Sequence, residues 1–282
     1  MKKPENSLLN AVFESARRTV QRMAVVGVAI GTALGMIFGV ALGLTGCGID
    51  SGDVERLRQD AWADVRLEEL SVRQQVGQMV MALVPAGADV EDPVVRETLG
   101  RWVRDVGIGG VVFLEGDPVR QAALTIWLQQ QADIPLFVAQ DMEWGAGMRL
   151  AEMTTFSRAM AVAATGDPRS ARTVARYTAA EARSVGVNMV FAPVADVNTE
   201  PANPVIGTRS YGDDPRQVTV FARAFADELI AAGLIPVAKH FPGHGDTDRD
   251  SHRTLPESVR DSSAMFSVDL VPFMRLVRTD GI

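Results

Sequence analysis

All three histidines of this 282-residue chain lie between positions 240 and 252. They belong to one stretch, Lys239-His240-Phe241-Pro242-Gly243-His244-Gly245-Asp246-Thr247-Asp248-Arg249-Asp250-Ser251-His252. Imidazole titrates near neutrality, so a histidine offered by such a loop can both give and take a proton at working pH. Asp250 precedes His252 by two residues, close enough to hydrogen-bond the ring, fix its tautomer and favour the imidazolium. The glycines and the proline make a loop that projects this pair over a pocket. Residue types alone do not say what is protonated.

Other readings of the stretch stay open at this point. His240 and His244 have the i, i+4 spacing of helical zinc sites, but Pro242, Gly243 and Gly245 keep the segment from being a helix. Asp246, Asp248 and Asp250 occupy positions one, three and five of a calcium loop, with Glu257 at twelve. Against that, Ser251 stands where the loop needs glycine, and Pro256 precedes the glutamate. A polar loop whose aspartates cap turns is the plainest alternative.

The elements that must position these residues repeat one pattern. Short apolar runs at 78–84, 110–114, 135–139, 188–193 and 235–238 read as parallel strands buried on both faces. Between them, Asp117-Pro118, Asp167-Pro168 and Asp214-Pro215 each place a capping carboxylate before a proline at the first helical position. In the third helix Val218, Phe221, Ala222, Phe225, Leu229 and Ala232 share one face, and Gly233 supplies the stop. Repeated β/α units predict a parallel sheet, either open and doubly wound or closed into a barrel. No glycine-rich phosphate loop follows the first strand, which weighs against a dinucleotide fold. Polar residues instead follow successive strands: Asp141 and Glu143, then Asp196 and Asn198, then His240 and His244. A barrel builds its active site from such positions. The prediction is therefore an α/β chain forming part of a (β/α)8 TIM-type barrel, truncated after about five units, with Asp280-Gly281-Ile282 at the opening of a sixth.

The histidine stretch resembles the signature of glycoside hydrolase family 3, in its β-N-acetylglucosaminidase branch. Residues 70–79, Ile134 to Glu143, Phe191 to Asp196, Val205 to Gly212 and Asp269 to Phe273 are similar to other segments of that family, in the same order. The resemblance implies retaining exo-hydrolysis of terminal β-linked N-acetylglucosamine, with muropeptide or chitin fragments as substrates and no metal or organic cofactor. It implies that Asp141 and Arg149 hold sugar hydroxyls and that Arg209, Lys239 and His240 complete the sugar subsite. His252 becomes the general acid/base with Asp250 as its partner, where most retaining glycosidases use two carboxylates. The nucleophile it implies is an aspartate beyond residue 282, so the chain as it stands is expected to be inactive. The family usually carries two glycines and then an arginine after the glutamate equivalent to Glu143. Here Trp144, Gly145 and Ala146 follow, which predicts a reshaped pocket edge beside a retained Arg149. Two alternatives stand beside this reading: a surface lipoprotein that binds amino sugars without cleaving them, and a β-glucosidase of the same family.

Residues 24–44 are apolar or small apart from Thr32, and Arg17, Arg18 and Arg22 precede them. As a helix the run would be roughly 31 Å long at ~1.5 Å per residue, enough to cross a bilayer core. Leu44-Thr45-Gly46-Cys47 follows and resembles a bacterial lipobox, and Cys47 is the chain's one cysteine. The expectation is a lipoprotein signal peptide at 1–46, a polar tether at 47–66 and the incomplete barrel at 67–282, lipid-anchored to a membrane on its extracytoplasmic side. A single cysteine permits no internal disulfide. A net charge of −7 argues against nucleic acid as a general partner.

Overall fold

The computed structural model of the chain describes residues 51–247 and 260–277, with side chains from residue 58 onward. Cys47 and the apolar run before it lie outside the described residues. The chain divides into two compact units, Met1–Glu69 and Leu70–Ile282, so the second begins three residues after the predicted start of the barrel. The described part of the first unit is one helix, α1, Ser51–Glu69. The polar segment expected to act as a tether is thus helical over most of its length. From residue 54 to 69 it holds neither glycine nor proline and is rich in helix formers, and an Arg66–Glu69 pair at 2.8 Å spans its last turn. Among the described residues no helix is long and apolar enough to cross a membrane.

The second unit alternates helices with five short parallel strands. Helix α2, Val72–Gln78, opens with a capping box: Ser71 accepts the Gln74 amide, and the Gln74 side chain accepts that of Ser71. This cap carries the helix through Gln78, so the first strand starts later than its apolar run. Strands β1 (Met81–Leu83), β2 (Gly110–Phe113), β3 (Phe137–Gln140), β4 (Met189–Val190) and β5 (Ile235–Pro236) follow. They pair in the order β1-β2-β3-β4-β5, every pair parallel. Sequential order without a reversal has no topological switch point and is the order of a barrel wall.

Between the strands run α3 (Pro93–Arg101), α4 (Pro118–Gln131), α5 (Ala159–Ala163), α6 (Arg169–Ser184) and α7 (Pro215–Ala231). After the undescribed stretch come α8 (Ser262–Ala264) and α9 (Leu270–Val277). Asp117 and Asp214 cap α4 and α7 as their Asp-Pro pairs predict, accepting the amides of Arg120 and Arg216. Asp167 accepts the Arg169 amide, and α6 begins one residue past its proline. Asp92-Pro93 is a fourth pair of this kind, with Asp92 accepting the Val94 amide at the start of α3. Helix α7 buries Val218, Phe221, Ala222, Phe225 and Leu229 and packs on α6 and α9.

Beyond their two-residue ladder, β4 and β5 stay together through their loops. The Ala195 amide donates to the Lys239 carbonyl at 2.6 Å, and the Lys239 amide to the Pro193 carbonyl at 3.1 Å. These bonds set Lys239 and His240 beside Asp196. Phe225, 1% exposed under this layer, is the larger of two informative truncations. In urea unfolding of the complete protein, Phe225→Ala should cost roughly 3–5 kcal/mol, whereas Val220→Ala, half exposed on the same helix, should stay within about 0.5 kcal/mol.

Candidate active site

Asp141 and Glu143 leave the end of β3 one residue apart on the chain, and Glu143 is the more deeply buried. A carboxylate there is unfavourable unless cations meet it. Two do. Lys239 Nζ lies 2.5 Å from Asp141 Oδ1 and 2.7 Å from Glu143 Oε1. Arg209 grips Glu143 with two parallel bonds, Nη2 to Oε1 at 2.6 Å and Nε to Oε2 at 2.9 Å, the fork geometry in which arginine binds carboxylate most strongly. Arg149 Nη2 closes on the other oxygen of Asp141 at 2.6 Å.

The third carboxylate, Asp196, follows β4 and is fully buried. It accepts the His240 amide at 3.0 Å, the His244 amide at 2.8 Å and a contact of 2.6 Å from His240 Nδ1. His240 Nε2 stands 3.1 Å from Arg209 Nη2. Arginine can only donate, so Nε2 is the acceptor and Nδ1 carries the proton given to Asp196. Both ring nitrogens of His240 are thereby engaged and neither is left to shuttle a proton. His244 is placed by Asn203, which donates to its carbonyl at 2.7 Å, and by Thr247 Oγ1, 2.6 Å from its Nδ1. Asp248, Asp250 and Glu257 of the calcium alternative lie outside the described residues.

Five predicted site residues, Asp141, Arg149, Arg209, Lys239 and His240, are therefore brought into one network. Asp250 and His252 lie outside the described residues. Glu143 and Asp196, noted in the sequence only as polar residues after strands, are its two hubs. The rule that placed Asp141 after a strand end applied equally to them, but nothing local reveals partners 66 and 44 residues away. Trp144, where a changed pocket edge was expected, is partly exposed and lies under the Arg158 guanidinium, 4.9 Å from its ring centroid. Behind the histidines, Arg260 joins Thr199, Asp246 and Asp269. Burial, with Asp246 and Asp196 nearby, raises the Asp269 carboxyl despite Arg260.

Burial opposes the charges on Asp141 and Glu143, and their cations more than offset it. Lys239 and Arg149 hold Asp141 below its ordinary 3.8, and Arg209 with Lys239 holds Glu143 below its ordinary 4.5. Stability from these carboxylates is thus complete above their ordinary values and drains away as pH falls through the lowered ones. Glu143→Gln leaves two cations facing a neutral amide and should cost roughly 3–5 kcal/mol near neutrality. Acid titrations of unfolding free energy should show that deficit shrinking below about pH 4. A deficit independent of pH would mean that the carboxylate's charge is not what matters.

The network offers fixed cations, carboxylate lone pairs and a neutral imidazole at the open end of a parallel sheet, an arrangement suited to a hydroxyl-rich ligand. Residues 71–282 match the family described as the glycosyl hydrolase family 3 N-terminal domain. The chain is 36% identical over 201 residues to β-hexosaminidase A of Pseudoalteromonas piscicida, an alignment covering 66% of this chain and 33% of that protein. It is 33% identical over 192 residues to a protein of Cellulomonas fimi named β-N-acetylglucosaminidase/β-glucosidase, covering 68% and 33%. Among solved structures, the family 3 β-N-acetylglucosaminidase of Paenibacillus sp. FPU-7 superposes with a TM-score of 0.68 at 34% identity, covering 74% of this chain and 40% of that one. The chain spans about a third of the length of the two curated relatives. With most of its length matched in sequence, this chain belongs to glycosyl hydrolase family 3, whose N-terminal domain it carries from residue 71 onward.

Proposed function

We propose that the complete protein is a retaining exo-hydrolase of terminal β-linked N-acetylglucosamine, acting outside the cytoplasm on muropeptide or chitin-type oligosaccharides. The observation that carries this reading is the ion-paired floor of the site. Two ammonium protons of Lys239 are taken by Asp141 and Glu143, and the third has no partner among the described residues. Arg149 Nε is buried with no partner among the described residues. Each Asp141 oxygen keeps a lone pair beyond its ion pair. Donors and acceptors fixed this closely together suit neighbouring sugar hydroxyls. The names of the relatives support the coarser statement that such a site serves hydrolysis of amino-sugar glycosides.

The resemblance to the family makes His252 the proton donor, paired with Asp250, and the engagement of both ring nitrogens keeps His240 out of that role. In the proposed reaction an aspartate from beyond residue 282 attacks the anomeric carbon. As the glycosyl–enzyme bond forms, the bond to the leaving oxygen breaks and His252 protonates that oxygen. Water then attacks the same carbon, gives its proton to His252 and frees the sugar with its configuration retained. Export rests on the apolar run followed by Cys47, which the proposal reads as a lipidated N-terminus that anchors the enzyme to a membrane.

A second reading, β-glucosidase activity, is favoured by one observation: the Cellulomonas relative's name joins both activities. The reading frame should be expressed through its later strands without residues 1–47 and assayed on aryl β-N-acetylglucosaminide and aryl β-glucoside. The expected outcome is cleavage of the amino sugar and a fall of about 10²–10⁴ in kcat for His252→Ala. Cleavage of the glucoside alone would favour the second reading, and sugar binding without cleavage would favour a binding lipoprotein. For the anchor, fatty-acid labelling of the complete protein should vanish in Cys47→Ser.

A further inference from the structure

The loop after β3 doubles back on itself. The Phe156 amide donates to the Trp144 carbonyl at 2.8 Å and the Gly147 amide to the Thr154 carbonyl at 2.9 Å. Gly145 makes the close approach possible, for it has φ +102° and a Cβ there would meet the Thr154 carbonyl at 2.3 Å. This pairing returns Arg158, two residues past Phe156, over the indole of Trp144. Arg158 Nη1 then reaches out of its own loop to Thr208 Oγ1, 3.3 Å away.

Trp144 directly follows Glu143, and Thr208 directly precedes Arg209. The contact chain Trp144–Arg158–Thr208 therefore runs beside the Glu143–Arg209 ion pair, one residue further out, and links the same two loops. An ion pair fixes the distance between two side chains, but the backbones that carry them can still shear. A second tie between adjacent residues removes that freedom. Trp144 supplies a broad π face for a guanidinium that would otherwise be fully solvated, and Arg158 is itself exposed.

We infer that Trp144, through Arg158, is a positioning residue for the sugar subsite: an outer clamp that holds the Thr208–Arg209 turn so that Arg209 meets the sugar in fixed register. The inference rests on the hydrolase reading above. A contact that orders the subsite equally in the ground state and the transition state changes KM and leaves kcat alone.

The test uses the complete reading frame and compares Trp144→Ala, Trp144→Phe, Arg158→Gln and the Trp144→Ala/Arg158→Gln double variant. The readouts are kcat and KM on an aryl β-N-acetylglucosaminide, the Kd of N-acetylglucosamine by calorimetry, and the thermal unfolding midpoint. Trp144→Ala and Arg158→Gln should each raise KM and Kd about two- to fivefold, the scale of one exposed cation–π contact, with kcat within about twofold. The double variant should be no worse than either single one, and Trp144→Phe should recover most of the loss. Parental KM and Kd in Trp144→Ala, whatever its unfolding midpoint, would overturn the clamp, as would effects that multiply in the double variant or a fall in kcat at constant KM. Should the parent cleave nothing, the hydrolase reading fails by itself, and the pattern of Kd values decides the clamp. Absence of N-acetylglucosamine binding as well would overturn both.

Discussion

A carboxylate as buried as Glu143 exists in a folded chain only because Lys239 and Arg209 are already beside it. The cost of removing an ion from water is several kcal/mol, and only close opposite charges with good hydrogen-bond geometry offset it. Here the pairing does not stop at one partner. Lys239 also serves Asp141, Asp141 also holds Arg149, and Arg209 also reaches His240, which Asp196 fixes from behind. Three carboxylates and three cations balance around one neutral imidazole. No member of this set is comfortable without the rest, so the loops after β3, β4 and β5 are held together as one unit.

The same mutual dependence gives the site its rigidity. Each side chain has its charge matched and its rotamer held by a neighbour in the same network. Such pre-organisation lowers the cost of ordering groups when a polar ligand arrives. His240 is committed at both nitrogens, to Asp196 and to Arg209, so in this arrangement it cannot relay a proton.

Much of the scaffold was legible in the sequence because its signals are local. Asp117-Pro118 and Asp214-Pro215 mark helix starts through contacts within three residues. The face of α7 follows from helical periodicity alone. The strands were legible as apolar runs but not in length, because β4 and β5 give up regular pairing after two residues to aim Asp196, Lys239 and His240. Five members of the network were singled out from the family-like motifs, whereas Glu143 and Asp196 went unassigned. Their importance lies in partners far along the chain, and no pattern within a window of sequence records that. The reach of Arg158 to Thr208, across 50 residues, is hidden for the same reason.

The shortness of β4 and β5 has a consequence for how the chain finds its fold. A ladder of two residues per strand is too brief for apolar alternation to choose one alignment, and a slip by one residue turns every side chain to the opposite face. In this chain such a slip would move Lys239 away from Asp141 and Glu143 and take His240 off Asp196, leaving buried charges alone. That penalty falls on every misaligned form and on none of the correct one. The charged cluster thus also proofreads the assembly of its own sheet.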